Sequence, residues 1–287
     1  MNALAAKLRL YWPLIKSLQT GLLVATGLAG YMSARCPLFN LPTMVGLFFS
    51  LVAAISGSTI LNMWWDRDID ARMRRTRCRP LAAGRIGPDE ALWVGLVLSL
   101  LGVGLAAVLD PLYGLIIFAG LFFDVVVYTI WLKRRTCWSI VWGGVSGGMP
   151  ILAGRALGLG RVDAIGILLA LGILFWIPTH ILTFSMRYFD DYRAAGVPTF
   201  PATYGFSFTR ATIAISSILA ALAIGFAAWS IGMSWGCLRL LGVLSSGLLL
   251  LAVAVTVRPS ERTSFGLFKY ASVYMLSAML IVVIGVL

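Results

Sequence analysis

The chain has 287 residues, 60% of them hydrophobic and 12% charged, with a formal net charge of +12. That composition excludes a soluble globular domain and describes a polytopic membrane protein whose first partner is the lipid bilayer. Surplus positive charge in such a chain reflects topology, so no nucleic-acid partner is expected.

In chain order, nine apolar stretches are long enough to cross about 30 Å of hydrocarbon as helices: 17–35, 42–64, 90–109, 112–132, 138–157, 163–187, 208–232, 235–257 and 266–287. Pro37, Pro42, Pro88, Pro111 and Pro259 punctuate their ends. No charged, short-apolar, cleavable leader stands ahead of the first stretch, so no removable signal peptide is expected. The fifth stretch is glycine-rich from Gly143 to Pro150, which suits either close helix packing or a broken helix lining a cavity. The fold class is therefore an all-α membrane protein, with residues 1–287 as a single transmembrane domain.

Charge tests this topology. With the N-terminus cytoplasmic, nineteen Lys and Arg residues fall on the cytoplasmic side, against four (Arg35, Arg155, Arg161 and Arg239) on the other. Such a split predicts nine crossings with the N-terminus inside the cell membrane. Acid-bearing segments follow the second and sixth stretches, four crossings apart, so both should emerge on the same side. A parallel duplication relating helices 1–4 to helices 5–8 would produce that arrangement.

The first of these segments runs N-M-W-W-D-R-D-I-D-A-R-M-R-R-T-R-C-R-P, from Asn62 to Pro80. Asn62, Asp66 and Asp70 recur every fourth residue and form one stripe on a helix. Hard oxygen donors on one face, with arginines just beyond, suit a divalent cation that holds an anionic ligand. The blander alternative is a membrane-edge helix end whose acids only pair with its arginines. Asp68 points away from the stripe and is expected to pair with Arg72 or to cap the loop.

The second segment runs from His180 to Pro198. On a helix, His180, Phe184, Arg187 and Asp191 fall near one line, with Asp190 one residue off it. Two acidic patches facing each other across a bundle could hold Mg²⁺, which keeps waters and binds through a few carboxylates plus substrate phosphates. Lys16, Lys133, Arg134 and Arg135 lie at the same level and could take outer phosphate oxygens, although ordinary topological anchoring also accounts for Lys133–Arg135. Asp124 sits inside the fourth stretch about two turns from Lys133, with Tyr128 one turn on. Either they help line an acceptor pocket or Asp124 locks two helices together.

The remaining chemistry is sparse. Cys36, Cys78, Cys137 and Cys237 show no C-x-x-C spacing and no metal or redox signature, though Cys36 and Cys237 could lie near one membrane face. His180 is the only histidine, which excludes a His-rich metal site and a haem held by two histidines of this chain.

Three ordered stretches resemble a known family. Asn62 to Ile86, V-Y-T-I-W-L-K-R-R-T (Val127 to Thr136), and Pro178-Thr179-His180 with D-D-Y-R-A-A-G-V-P-T-F-P (Asp190 to Pro201) are similar to the UbiA superfamily of intramembrane prenyltransferases. Within it they look most like the protohaem IX farnesyltransferases, or haem O synthases. The resemblance implies nine transmembrane helices around a central cavity. It also implies Mg²⁺ between an isoprenyl diphosphate and both acidic motifs, with Asn62, Asp66 and Asp70 in one metal set and Asp190 and Asp191 in the other. Lys16, Lys133, Arg134, Arg135 and Arg187 would bind diphosphate, while His180, Tyr128 and Asp124 would meet the acceptor, haem b. There are departures: the family's Lys-Pro-Arg reads Lys16-Ser17-Leu18, its Pro-Pro-His reads Pro178-Thr179-His180, and Asp124 stands where a neutral residue is usual.

Rival readings from the sequence are prenylation of an aromatic quinone precursor by the same chemistry, a transporter of a charged metabolite, and a scaffold subunit. Intramembrane acids suit a transporter, but these acids cluster at one face rather than at mid-depth.

Overall fold

The computed structural model describes Lys7, residues 9–34 and residues 40–286. Arg35, Cys36 and Pro37 lie outside the described residues, as does any pairing of Cys36. Cys78, Cys137 and Cys237 are free thiols.

All regular structure among the described residues is helical: α1 (Ser17–Ser33), α2 (Leu41–Trp65), α3 (Arg67–Arg72), α4 (Pro88–Leu109), α5 (Pro111–Leu121), a π-helix (Phe122–Leu132), α6 (Ser139–Leu159), α7 (Ala164–Arg187), α8 (Phe189–Ala194), α9 (Phe200–Ile231), α10 (Trp235–Val257) and α11 (Glu261–Ile284). With α5 and the π-helix taken as one rod, long helices stand at all nine expected positions. Seven of these rods are long and apolar enough to cross a membrane; the 17-residue α1 and the glycine-rich α6, which carries Arg155, are not among them.

The ends follow local chemistry. Asn40, Asp110 and Asp163 each accept a hydrogen bond from a first-turn amide of α2, α5 and α7, and Ser260 does so for α11 in a reciprocal capping box. Proline stands at the first turn of α2, α4 and α5, where its missing N–H costs nothing. α9 begins earlier than expected because a short helical stretch precedes a kink at Gly205, whose φ of 80° breaks the run.

An inner set of α1, α2, α5 with the π-helix, α6, α7 and α11 encloses a central cavity, while α4, α9 and α10 pack outside it. Apolar side chains such as Leu100, Val108, Leu250 and Val257 are exposed on the outer helices. Water would penalise that surface, and lipid does not. The chain is thus an integral, multi-pass membrane protein.

The glycine run of α6 serves close packing. The helix is continuous through Pro150, and it crosses α1 backbone to backbone. A Cβ on Gly30 would strike the Ile151 carbonyl, and one on Gly154 would strike that of Gly27. Near this crossing, the buried Arg155 donates two 2.8 Å bonds to Asp163 and a 2.5 Å bond to the Ser33 carbonyl. That clamp joins α1, α6 and the start of α7 at the end of the bundle away from Lys16.

Candidate active site

Asn62 lies in the last turns of α2, and the helix breaks at Asp66 before α3 begins. The break is slight. Asp66 N–H still bonds the Asn62 carbonyl at 3.0 Å and Asp70 N–H the Asp66 carbonyl at 2.8 Å. The expected stripe therefore survives, and Asn62, Asp66 and Asp70 all face the central cavity, at 8%, 5% and 6% exposure.

Each of the three is held. Lys133 donates to Asp66 Oδ2, and Arg79 donates to Asp70 Oδ2 at 2.7 Å. Asn62 Nδ2 donates to Asp124 Oδ2 at 2.9 Å, and Thr129 Oγ1 lies 2.8 Å from Asn62 Oδ1. Ser58 also donates to Asp124. Asp124 thus ties the π-helix to α2, as one of the two expected roles has it, and also lines the cavity.

The π register matters here. Asp124 and Lys133 are nine residues apart, which in an α-helix of 3.6 residues per turn would put them half a turn out of line. The wider turn, with Lys133 N–H bonded to the Tyr128 carbonyl at 2.8 Å, brings Asp124, Tyr128 and Lys133 to one cavity wall.

Cations converge on the same mouth. Lys16, Arg75, Arg79 and Lys133 all line the cavity. Lys16 is the sole non-glycine at positive φ among the described residues (φ 45°, ψ 58°), a strain of roughly 1–3 kcal/mol of the kind that gathers at functional sites. Burial, and then the neighbouring Arg79 and Lys133, lower its pKa to about 8. At Lys133 burial opposes the charge, but the Tyr128 oxygen and the Asp66 carboxylate outweigh it and raise the pKa. An apolar cluster of Leu14, Ile60, Met63, Leu81 and Ile86 packs the segment before Lys16 and the loop after Arg79 against α2, which fixes both cations.

The second acidic segment meets the first. Asp191 accepts the backbone N–H groups of Arg74 at 3.3 Å and Arg75 at 3.2 Å. Ile69 and Met73 pack with Tyr192, Ala195 and Val197 beneath that contact. Asp190 is exposed and Asp191 half-buried, and Tyr192 rather than either acid lines the cavity.

The other expected residues divide. His180 lines the cavity wall. Arg134 forks onto Asp68 at 2.6 and 2.9 Å, so the partner of Asp68 is Arg134 and not Arg72. Arg135 is exposed. Arg187 lies over the Phe265 ring at 3.9 Å and lines a separate, smaller cavity with Arg210. Among the cavity residues that sequence reasoning did not single out are Arg75, Arg79 and Tyr192.

The cavity measures about 780 Å³, large for a small-molecule site. Its deeper walls are apolar, including Leu51, Ile117, Met149, Ile177 and Leu276. Among the described residues no three acidic, His or Cys side chains stand close enough to form a metal cage of their own. Yet Asp66 Oδ1 is buried with no hydrogen-bond partner and only a long, 4.0 Å ion-pair contact to Arg134 Nη2, which leaves a hard anionic oxygen able to take a metal ion. Together with Asn62 and Asp70, that donor set fits a Mg²⁺ completed by waters and phosphate oxygens.

Residues 23–281 match the UbiA prenyltransferase family. The chain is 44% identical over 211 residues to a protohaem IX farnesyltransferase of Pyrobaculum arsenaticum, covering 73% of this chain and 74% of that one. The solved structure of a digeranylgeranylglyceryl phosphate synthase shares its fold at a TM-score of 0.80 and 19% identity, covering 98% of this chain and 99% of the other. A UbiA homologue from Archaeoglobus fulgidus bound to GPP and Mg²⁺ does so at a TM-score of 0.71 and 16% identity, covering 96% and 99%.

Proposed function

The chain belongs to the UbiA prenyltransferase family, and we propose that it transfers a farnesyl group from farnesyl diphosphate to protohaem IX, giving haem O. The observation that carries this reading is the convergence of Lys16, Arg75, Arg79 and Lys133 on the mouth of an apolar-walled cavity. Asp66 and Asp70 balance Lys133 and Arg79, but Lys16 and Arg75 have no carboxylate in an ion pair among the described residues. Partly desolvated cations without one are costly, and a diphosphate attached to a long apolar chain satisfies both ends of the cavity. Protohaem as acceptor is supported by the similarity to protohaem IX farnesyltransferases.

Asn62, Asp66 and Asp70 would hold Mg²⁺ at the cavity mouth, where the ion would neutralise charge on the diphosphate, whereas Asp190 and Asp191 stand outside the cavity lining and Asp191 accepts the Arg74 and Arg75 amides. The remaining work belongs to side chains of this chain. Lys16, Lys133, Arg75 and Arg79 orient the diphosphate and stabilise the charge it gains as the farnesyl C1–O bond breaks. The apolar walls keep water from the allylic cation. The electrons of a haem vinyl group then form the new C–C bond, water adds to the resulting cation, and a proton is released.

The charge split favours a mouth and N-terminus on the cytoplasmic side. Cys78, exposed beside the mouth, should then react with an impermeant maleimide only from that side.

The decisive experiment is mass spectrometry after incubation with Mg²⁺, farnesyl diphosphate and either haem or 4-hydroxybenzoate. A haem product is expected. A prenylated benzoate with unchanged haem would transfer the same chemistry to an aromatic acceptor.

A further inference from the structure

Arg187 and Arg210 line a cavity of their own. It measures about 280 Å³, lies between α7, α9 and α11 at the Lys16 end of the bundle, and among the described residues shares no lining side chain with the central cavity. The wall between the two is aromatic. Phe268 stacks on His180 of the central cavity at 4.3 Å, and its ring also lies 5.9 Å from Phe265 and 5.7 Å from Phe184. Phe206, which follows the kink at Gly205 and packs on Phe189 of α8 at 5.3 Å, lines the cavity while remaining exposed.

Its charge is unbalanced. Arg187 sits 3.9 Å over the Phe265 ring, and Lys269 stands 4.6 Å from the same ring. Among the described residues neither Arg187 nor Arg210 forms an ion pair. Glu261 also lines the cavity, but it is one carboxylate against two guanidiniums and pairs with neither. A guanidinium stacked on a ring keeps its N–H edge free, and that fork matches two oxygens of a phosphate. The N-terminus of α11 opens on the cavity at Ser260 and Glu261, so the positive pole of its dipole adds to the same field.

We propose that this cavity binds the phosphate head group of an anionic membrane lipid, held by Arg187 and Arg210, with its chains leaving past Phe206 into the bilayer. The volume is below the range of about 300–1,000 Å³ usual for small-molecule sites, so it takes a head group and the first methylenes and leaves the tails outside. Aromatic walls offer a hydrated inorganic phosphate nothing, but they give the apolar stem of a lipid a dry surface. The charge split assigns this end of the bundle to the cytoplasmic leaflet, where basic pockets between transmembrane helices collect anionic head groups. The site is independent of the acceptor and of the donor in the central cavity.

Native mass spectrometry of the purified full chain in nonionic detergent tests this, with phosphatidylglycerol, phosphatidylcholine and inorganic phosphate as probes. Wild type should retain one phosphatidylglycerol about tenfold more tightly than phosphatidylcholine, and inorganic phosphate should not displace it. Arg187→Gln and Arg210→Gln together should abolish that preference while the unfolding temperature in nonionic detergent stays that of wild type. Arg262→Gln removes an exposed charge of α11 that does not line the cavity, and it should keep the preference. If the double variant does not fold, the single variants carry the test, each weakening phosphatidylglycerol about fivefold. A preference that survives both single substitutions, or that Arg262→Gln reduces equally, would overturn the proposal. Displacement by inorganic phosphate would overturn it in favour of a free-phosphate site, and displacement by farnesyl diphosphate in favour of a second docking point for the donor.

Discussion

The two acid-bearing segments share a plan and differ in use. In each, a long helix stops, one residue breaks the run, and a six-residue helix follows: α2, Asp66 and α3 in one, α7, Tyr188 and α8 in the other. In the first segment Asp66 and Asp70 are buried and ion-paired to Lys133 and Arg79. In the second Asp190 is exposed, and Asp191 spends its oxygens on the Arg74 and Arg75 amides. One segment is a charge centre, and the other is a clasp laid over it. The same backbone device therefore serves electrostatics in one place and closure in the other, according to which cations stand opposite.

That contrast can be broken by substitution. Asp66→Asn removes an anion from a desolvated pair and from the metal set, so kcat should fall by about 10²–10³ or more, measured as haem product formed per enzyme. Asp191→Asn loosens the clasp, and we expect a loss of about tenfold carried mainly by KM for the diphosphate. Equal losses from the two variants would mean that both segments bear the charge alike.

Lys16 sharpens the picture through pH. Its pKa of about 8 lies below the ordinary lysine value of 10.5, so between those values the unfolded chain binds more protons than the folded one. Folding stability should rise with pH across that window. A bound diphosphate favours the ammonium, so pyrophosphate binding near pH 8 should take up protons and weaken as the pH climbs. Calorimetry in two buffers of different ionisation heat reads this directly; no uptake would remove Lys16 from the anion site.

The smallest effect concerns Arg134. Its fork on Asp68 is exposed, and such pairs contribute about 1 kcal/mol at most. Arg134→Ala should leave turnover within a few-fold of wild type, and a hundredfold loss would return Arg134 to the diphosphate.

Much of this was legible in the chain. Apolar runs punctuated at Pro42, Pro88 and Pro111 set the rods, because lipid leaves a backbone few options other than a helix. The Asn62, Asp66 and Asp70 spacing survived because the break at Asp66 costs almost no rotation. The π register was not legible: Val125, Val126 and Val127 carry no local signal for it, and it is held by bonds from Ser58 and Asn62 on another helix. Nor could the run from Arg72 to Arg79 reveal which guanidiniums turn inward, since the packing of Leu81 and Ile86 on α2 decides that. Asp191 faces backbone amides rather than the cavity for a similar reason. Its orientation follows from how α8 seats on Ile69 and Met73.

The glycine crossing of α1 and α6 has a mechanical consequence. Two rods in main-chain contact, pinned near the same point by Arg155, can neither slide nor separate there without rupturing buried bonds. Breathing that admits a flat, bulky guest is thereby confined to the opposite pole, where the bundle opens like tongs about a fixed rivet.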